Sequence, residues 1–227
     1  MTRSPARPPR PVVVLLAAAG LLATGAVLAR GRRPPNLRIA DPEGPPRIDA
    51  AGVAHSVQAG ELTLDPAAVE AVLSATGLDR LGRFYWRFLQ RISLGLIRAV
   101  PTPERLLVVL LARPLVLLAF GLPEYRVDVD RGLVRWPIHG GLLARGDPPE
   151  HARGGLFQIE LRRLDRSTVG PASVRIEVAV LDFHPAIARR VGPTVYAFTQ
   201  ARIHVIVTHA FIRSLARIRL APPDPRG

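Results

Sequence analysis

Cysteine and lysine are absent from this 227-residue chain, and methionine occurs once. Without cysteine there is no disulfide scaffold, no thiolate zinc site, no iron–sulfur centre and no cysteine nucleophile. Without lysine the phosphate-binding Gly-x-x-x-x-Gly-Lys loop is excluded. All 31 basic residues are therefore arginine. So uniform a choice reads as nucleotide-composition bias and carries no functional message. Other catalytic signatures are missing too. No serine sits in a Gly-x-Ser-x-Gly elbow, no His-Glu-x-x-His run occurs, and no dinucleotide fingerprint follows a strand. His139-Gly140-Gly141 is similar to the oxyanion-hole loop of esterases, but without the elbow it stands alone.

Hydrophobic residues make up 48% of the chain and charged residues 22%, enough for a packed core of ordinary domain size plus an appendage. The formal net charge is +13. Residues 1–47 hold eight arginines against Asp41 and Glu43, so about half the surplus lies near the amino end. The remaining arginines are spread out and interleaved with acids. That distribution argues against nucleic acid as a partner, despite a sequence pI near 11.6, and suits attraction to anionic lipid.

Val12 to Ala29 read VVVLLAAAGLLATGAVLA, without a charge. Eighteen helical residues span about 27 Å, close to a hydrocarbon core of about 30 Å. The sequence therefore predicts an amino-terminal transmembrane helix within residues 1–33 and a single-pass cell-membrane protein. A cleaved signal peptide and a buried soluble helix are the rival readings. A signal's apolar region is usually shorter, about 7–15 residues. Arg3, Arg7 and Arg10 precede the span and Arg30, Arg32 and Arg33 follow it, so the flanks give no charge asymmetry to orient the main domain. Pro34, Pro35, Pro42, Pro45 and Pro46 predict an extended linker over 34–55.

The expected fold class is α+β over 56–221: a helical part at 65–122, an antiparallel β-meander at 124–181 and a long carboxyl-terminal helix at 194–219, with a disordered tail at 222–227. Asp65-Pro66 reads as a helix start, with a stop at Gly77. A second helix is expected over about 79–100. Its arginines at 80, 83, 87, 91 and 98 fall within an arc of about 80°, opposite Leu81, Phe84, Tyr85, Phe88, Ile92, Leu96 and Ala99. Such a face is either a solvated surface or a membrane contact through Arg83, Trp86, Arg87 and Arg91. Thr102-Pro103-Glu104 opens a further segment, and 106–122 is apolar but for Arg113. It reads as a buried or monotopic helical segment, with a second span as the alternative.

From Glu124 the period becomes two. Strands are expected at 125–129, 134–138, 156–161 and 174–181, sharing one apolar face and one face of mixed sign. Asp130-Arg131-Gly132 reads as the first hairpin turn. In the last helix Phe198, Ala201, Val205, Thr208, Ile212 and Leu215 form the apolar stripe, and His204 falls on it. Ile203 to Val207 is also compatible with a strand.

Six histidines occur. His139, His151, Asp182 and His184 have the chemistry of a mononuclear metal site, but separate local roles explain them better, and no metal and no cofactor are expected.

The order of these elements resembles the helix-grip (START-like) superfamily, in which a curved sheet wraps a long carboxyl-terminal helix around an apolar cavity. The resemblance rests on the strands at 125–129, 134–138, 156–161 and 174–181 and the helix at 194–219. That family has more strands, one of them before the first helices, for which Gly60-Glu61-Leu62-Thr63-Leu64 is the candidate. The apolar segment 106–122 has no counterpart in the pattern. The resemblance implies binding of a lipid or other apolar ligand between sheet and helix, with Trp136, Phe198 and His204 as contacts. The leading expectation is thus a membrane-anchored, non-catalytic binding module with membrane lipid, and an apolar small molecule, as partners. One alternative is a helix-grip enzyme using His139, Asp182, His184 or His204 as acid–base groups. The other is an assembly subunit of a membrane complex.

Overall fold

The computed structural model describes residues 34–39, 47–49, 52–110, 115–144, 155–165, 170–185 and 202–217. These contain ten strands, β1 (Leu37–Ile39), β2 (Arg47–Ile48), β3 (Ala54–Leu64), β4 (Ile97–Pro101), β5 (Leu106–Leu110), β6 (Val116–Phe120), β7 (Glu124–Val127), β8 (Arg131–Gly140), β9 (Leu156–Arg163) and β10 (Ala172–Phe183). They also contain three helices: α1 (Pro66–Val72), α2 (Ala75–Ile92) and α3 (Arg202–Arg217). The strands form one antiparallel sheet in the order β1-β3-β10-β9-β8-β6-β5-β4, with β2 beside β3 and β7 beside β8. The first long strand thus pairs with the last. A strand before the first helices and extra strands between helices and meander are what the helix-grip resemblance asks for, and 106–122 supplies two of them.

Cross-strand register sorts the inner face into rows. One row runs Gly60, Ile176, Leu161, Gly132; the next Gln58, Val178, Ile159, Val134; the third Ser56, Val180, Phe157, Trp136. The opposite face carries Glu61, Arg175, Glu177, Glu160, Arg162, Arg131 and Arg135, the mixed-sign surface expected from the alternation. Both helical layers lie on the inner face. Leu73 and Leu78 sit over Gly132, and Ile212 of α3 sits over Gly60. Tyr85 bridges the two layers: its ring lies 4.8 Å from Phe157 in β9 and 4.9 Å from Phe211 in α3.

The helices start where local chemistry starts them. Asp65 caps α1 by accepting from the Ala67 amide at 2.9 Å, with Pro66 in the first turn. Gly77, expected as a stop, lies inside α2, whose cap is Ser74: its Oγ accepts from the Gly77 amide at 3.0 Å. A Cβ on Gly77 would stand 2.2 Å from the Ala71 carbonyl, so glycine serves close helix approach there. α2 also ends earlier than the arginine spacing suggests. Leu94 (φ 53) and Gly95 (φ 79) turn left-handed, and 97–101 is a strand. Thr102, read as a helix cap, turns β4 into β5: its hydroxyl accepts from the Arg105 amide at 3.2 Å.

Three further expectations are corrected. The apolar stretch 106–122 is not helical but holds β5 and β6, paired as a hairpin closed by the Leu110 amide on the Leu115 carbonyl. Val108, Val109 and Leu110 are buried in succession; a strand covered on both faces loses its alternation and reads as a continuous run. Next, 34–55 is not wholly a tether. Leu37 is buried in the core and β1 and β2 pair with β3, because the prolines flank the strand residues instead of interrupting them. Third, β7 is exposed along its length and does not share the covered face.

The single-pass localisation is withdrawn. No helix among the described residues is long and apolar enough to cross a membrane. The segment 12–29, on which an amino-terminal transmembrane helix was read, lies outside the described residues, as do 194–201 and 218–227 at the ends of the last expected helix. Within the described part, 202–217 is helical throughout, so Ile203 to Val207 is not a strand.

Candidate functional site

The interior between β3 and α3 is where chemistry is concentrated. A Cβ on Gly60 would come within 2.8 Å of Ile212 Cγ2, which fixes how strand and helix meet. One strand pair back along β3 stands Gln58, and one helical turn back along α3 stands Thr208. Both residues are fully buried. A further step back on each element gives Ser56 and His204. His204 lies beside the backbone of Val178, the β10 partner of Gln58.

This polar group sits in apolar surroundings. Val178, Ile159 and Val134, which share the Gln58 row, are all fully buried. Yet Ser56 Oγ, both Nε2 and Oε1 of Gln58, Thr208 Oγ1 and His204 Nε2 are buried without a hydrogen-bond partner. Interiors normally satisfy such atoms, and each one left unmet costs about 1–3 kcal/mol. Burial, followed by the neighbouring His209, lowers the His204 pKa to about 4, against a smaller raising effect of the Val178 backbone. The imidazole is therefore neutral near pH 7.

An aromatic cluster continues the same face. Trp136 stacks on Phe157 at 5.6 Å, and Trp86 meets Trp136 edge-on at 5.5 Å. A Cβ on Gly82 would lie 2.8 Å from the Trp136 ring, so α2 approaches β8 closely here. Trp86 also packs on Phe120 and Phe157, and its Nε1 is buried without a partner. Three inter-strand steps of about 4.8 Å put Trp136 about 14 Å from Ser56 across the sheet.

Of the expected ligand contacts, Trp136 and His204 therefore share the inner face, and Phe198 lies outside the described residues. Of the expected membrane contacts, Arg83, Arg87 and Arg91 are exposed on α2. Arg83 pairs with Asp79, and Arg87 Nε donates to the Arg83 carbonyl. The Trp86 ring turns instead onto the sheet, where it covers more apolar surface than an arginine face offers.

The acid–base candidates do not assemble. Asp182, in a left-handed conformation (φ 50), lies 3.9 Å from His55 Nε2, and its amide donates to His55 Nδ1 at 3.4 Å. The His184 ring faces the Asp182 carbonyl at 3.1 Å. His139 lies against Gly121 in the neighbouring segment, and neither it nor His204 bonds to Asp182. His151 lies outside the described residues, and no group of three or more metal-ligating side chains occurs among the described ones.

Sequence reasoning missed Ser56 and Gln58. Polar residues on alternate positions of a strand look solvent-facing until the register with β10 shows that they point inward. Thr208 falls on the expected apolar stripe, where a pattern of hydrophobicity hides its hydroxyl.

Compared by sequence, the chain matches no protein family and no curated protein. Compared by structure, the chain has distant neighbours among solved proteins. The chain is similar to CalU16 from Micromonospora echinospora, with 12% identity, 81% of this chain and 98% of that one covered, and a TM-score of 0.29. It is similar to Ara h 8.0201, with 14% identity, 69% and 97% covered, and a TM-score of 0.27. It is similar to human STARD10, with 9% identity, 78% and 74% covered, and a TM-score of 0.28. Likeness at this level carries no argument about function, which rests on the interior of this chain itself.

Proposed function

We propose that this protein is a non-catalytic module that binds a lipid or another apolar small molecule between the sheet and its carboxyl-terminal helix. One observation carries the reading. A set of buried polar atoms without partners, from Ser56, Gln58, His204 and Thr208, stands on the face that is otherwise lined by valine, isoleucine, phenylalanine and tryptophan. A ligand with an apolar body and a polar end answers both features, since binding sites are mostly apolar with a few placed polar groups. Among the described contacts Asp182 stands beside His55 and His184 and bonds neither His139 nor His204, which supports binding over acid–base chemistry through those histidines.

The test is titration of the purified protein with diphenylhexatriene, a hydrocarbon that fluoresces when taken out of water. The expected result is a saturable, equimolar rise in its emission, with quenching of the Trp86 and Trp136 fluorescence. Native mass spectrometry of the same preparation, gently extracted, should show a co-purified small molecule. No saturable uptake and no bound molecule together overturn the reading.

A further inference from the structure

The polar atoms of the inner face share one property: none is ionised. Ser56, Gln58 and Thr208 are uncharged side chains. His204 is neutral near pH 7, because burial, followed by His209, keeps its pKa at about 4. The two rows that contain the polar residues read Gln58, Val178, Ile159, Val134 and Ser56, Val180, Phe157, Trp136. No fixed charge occurs in either. The residues of α2 that pack over the rows, Tyr85 and Trp86, are also uncharged. The nearest inward arginine by register, Arg163, pairs with Val174 two rows beyond Gln58 and is engaged by Glu70 and Asp130.

Among the described residues, the two strand rows and the α2 residues over them offer no countercharge to a carboxylate, phosphate or ammonium, and the titratable neighbour of His204 is His209 of α3. Burying an unpaired ion costs far more than burying a neutral polar group. A bare hydrocarbon would leave the partnerless atoms as they are. Gln58 offers one acceptor and an NH2 donor, and Thr208 can do either. A ligand group that both donates and accepts satisfies them together.

We propose that the site between β3 and α3 takes an uncharged amphipathic ligand whose hydroxyl or carboxamide end is seated on Gln58 and Thr208, with its apolar body lying along the rows toward Trp136. This rests on the binding reading above and adds the chemistry of the ligand's polar end.

The experiment is displacement of diphenylhexatriene by decanol, decanamide and decanoate at neutral pH, on the wild type and on the double variant Gln58→Met with Thr208→Val. Decanol and decanamide are expected to displace the probe at concentrations about ten-fold or more below decanoate, since a site built to hydrogen-bond a group discriminates strongly for it. The double variant is expected to lose that preference, read as the ratio of decanol to decanoate displacement within the variant itself, so that a change in its affinity for the probe cancels. Decanoate displacing as well as decanol, or a double variant that keeps the preference, overturns the proposal. If the double variant no longer holds the probe, the near-isosteric Thr208→Val alone reads the same comparison. A wild type that takes up no diphenylhexatriene overturns the binding reading itself, and this inference with it.

Discussion

Gly60 of β3 lies directly under Ile212 of α3, so close that a Cβ on the glycine would stand 2.8 Å from Ile212 Cγ2. That contact fixes where strand and helix meet, with Gln58 two residues back along β3 and Thr208 four residues back along α3. Adding a methyl must push the helix or the branched Ile212 side chain away. Gly60→Ala is expected to destabilise the protein by about 1–3 kcal/mol, the usual range for overpacking. Ile212→Ala costs about 2–5 kcal/mol by leaving a cavity. The two together should cost less than their sum, because the second deletion makes room for the first insertion. Denaturant unfolding of the two single variants and the double reads the coupling. Simple additivity would mean that strand and helix do not meet at this point.

Thr208 is fully buried and its hydroxyl has no partner. Valine has nearly the same shape without the polar atom. In the ligand-free protein Thr208→Val is therefore expected to raise stability by about 1–3 kcal/mol, the cost of an unmet buried hydroxyl. Most core substitutions destabilise, so the direction is diagnostic. A lower midpoint in urea for Thr208→Val would show that the hydroxyl is satisfied within the fold.

The meander was legible because one side of it is wet. Val174, Ile176 and Val178 alternate with Arg175 and Glu177, and that period survives into β10. Pro137 lies inside β8 without breaking it: proline contributes a carbonyl, which accepts from the Gly121 amide at 2.8 Å. The run 106–122 was illegible for the opposite reason, since strands buried on both faces carry no period. The site was half legible. Trp136 and His204 stood out by residue type, whereas Gln58 is ordinary until strand pairing with Val178 places it inside. Pairing between residues more than a hundred positions apart leaves no local pattern to read.

On the outer face Glu160 is buried between two arginines, Arg131 at 2.7 Å and Arg162 at 2.9 Å. Burial raises its pKa, but hydrogen bonds from Arg131 and Arg162 outweigh burial, and the net shift is downward. A carboxyl with a lowered folded-state pKa adds stability above its unfolded value near ~4.3, and that stability is lost as pH falls through the folded value. Glu160→Gln should therefore be less stable than wild type at neutral pH, with the difference narrowing below about pH 4. Thermal midpoints from pH 7 down to pH 3 check this. A difference that does not change with pH would assign the loss to packing.

His204 sets the acid sensitivity in a higher window. Its pKa falls to about 4 in the folded chain, first through burial and then through His209, against about 6.5 unfolded. Between those values the unfolded state binds the proton and the folded state does not. Stability is thus complete above about pH 6.5 and declines as pH falls toward 4, with a slope of up to about 1.4 kcal/mol per pH unit. His204→Asn removes the titrating group and should flatten the curve in that window, leaving the decline below about pH 4.5 that belongs to carboxylates such as Glu160. Urea midpoints measured from pH 7.5 to 4 on both proteins decide it. Equal slopes for the two would mean that His204 accepts a proton in the folded state, and would place it in water and not against Val178.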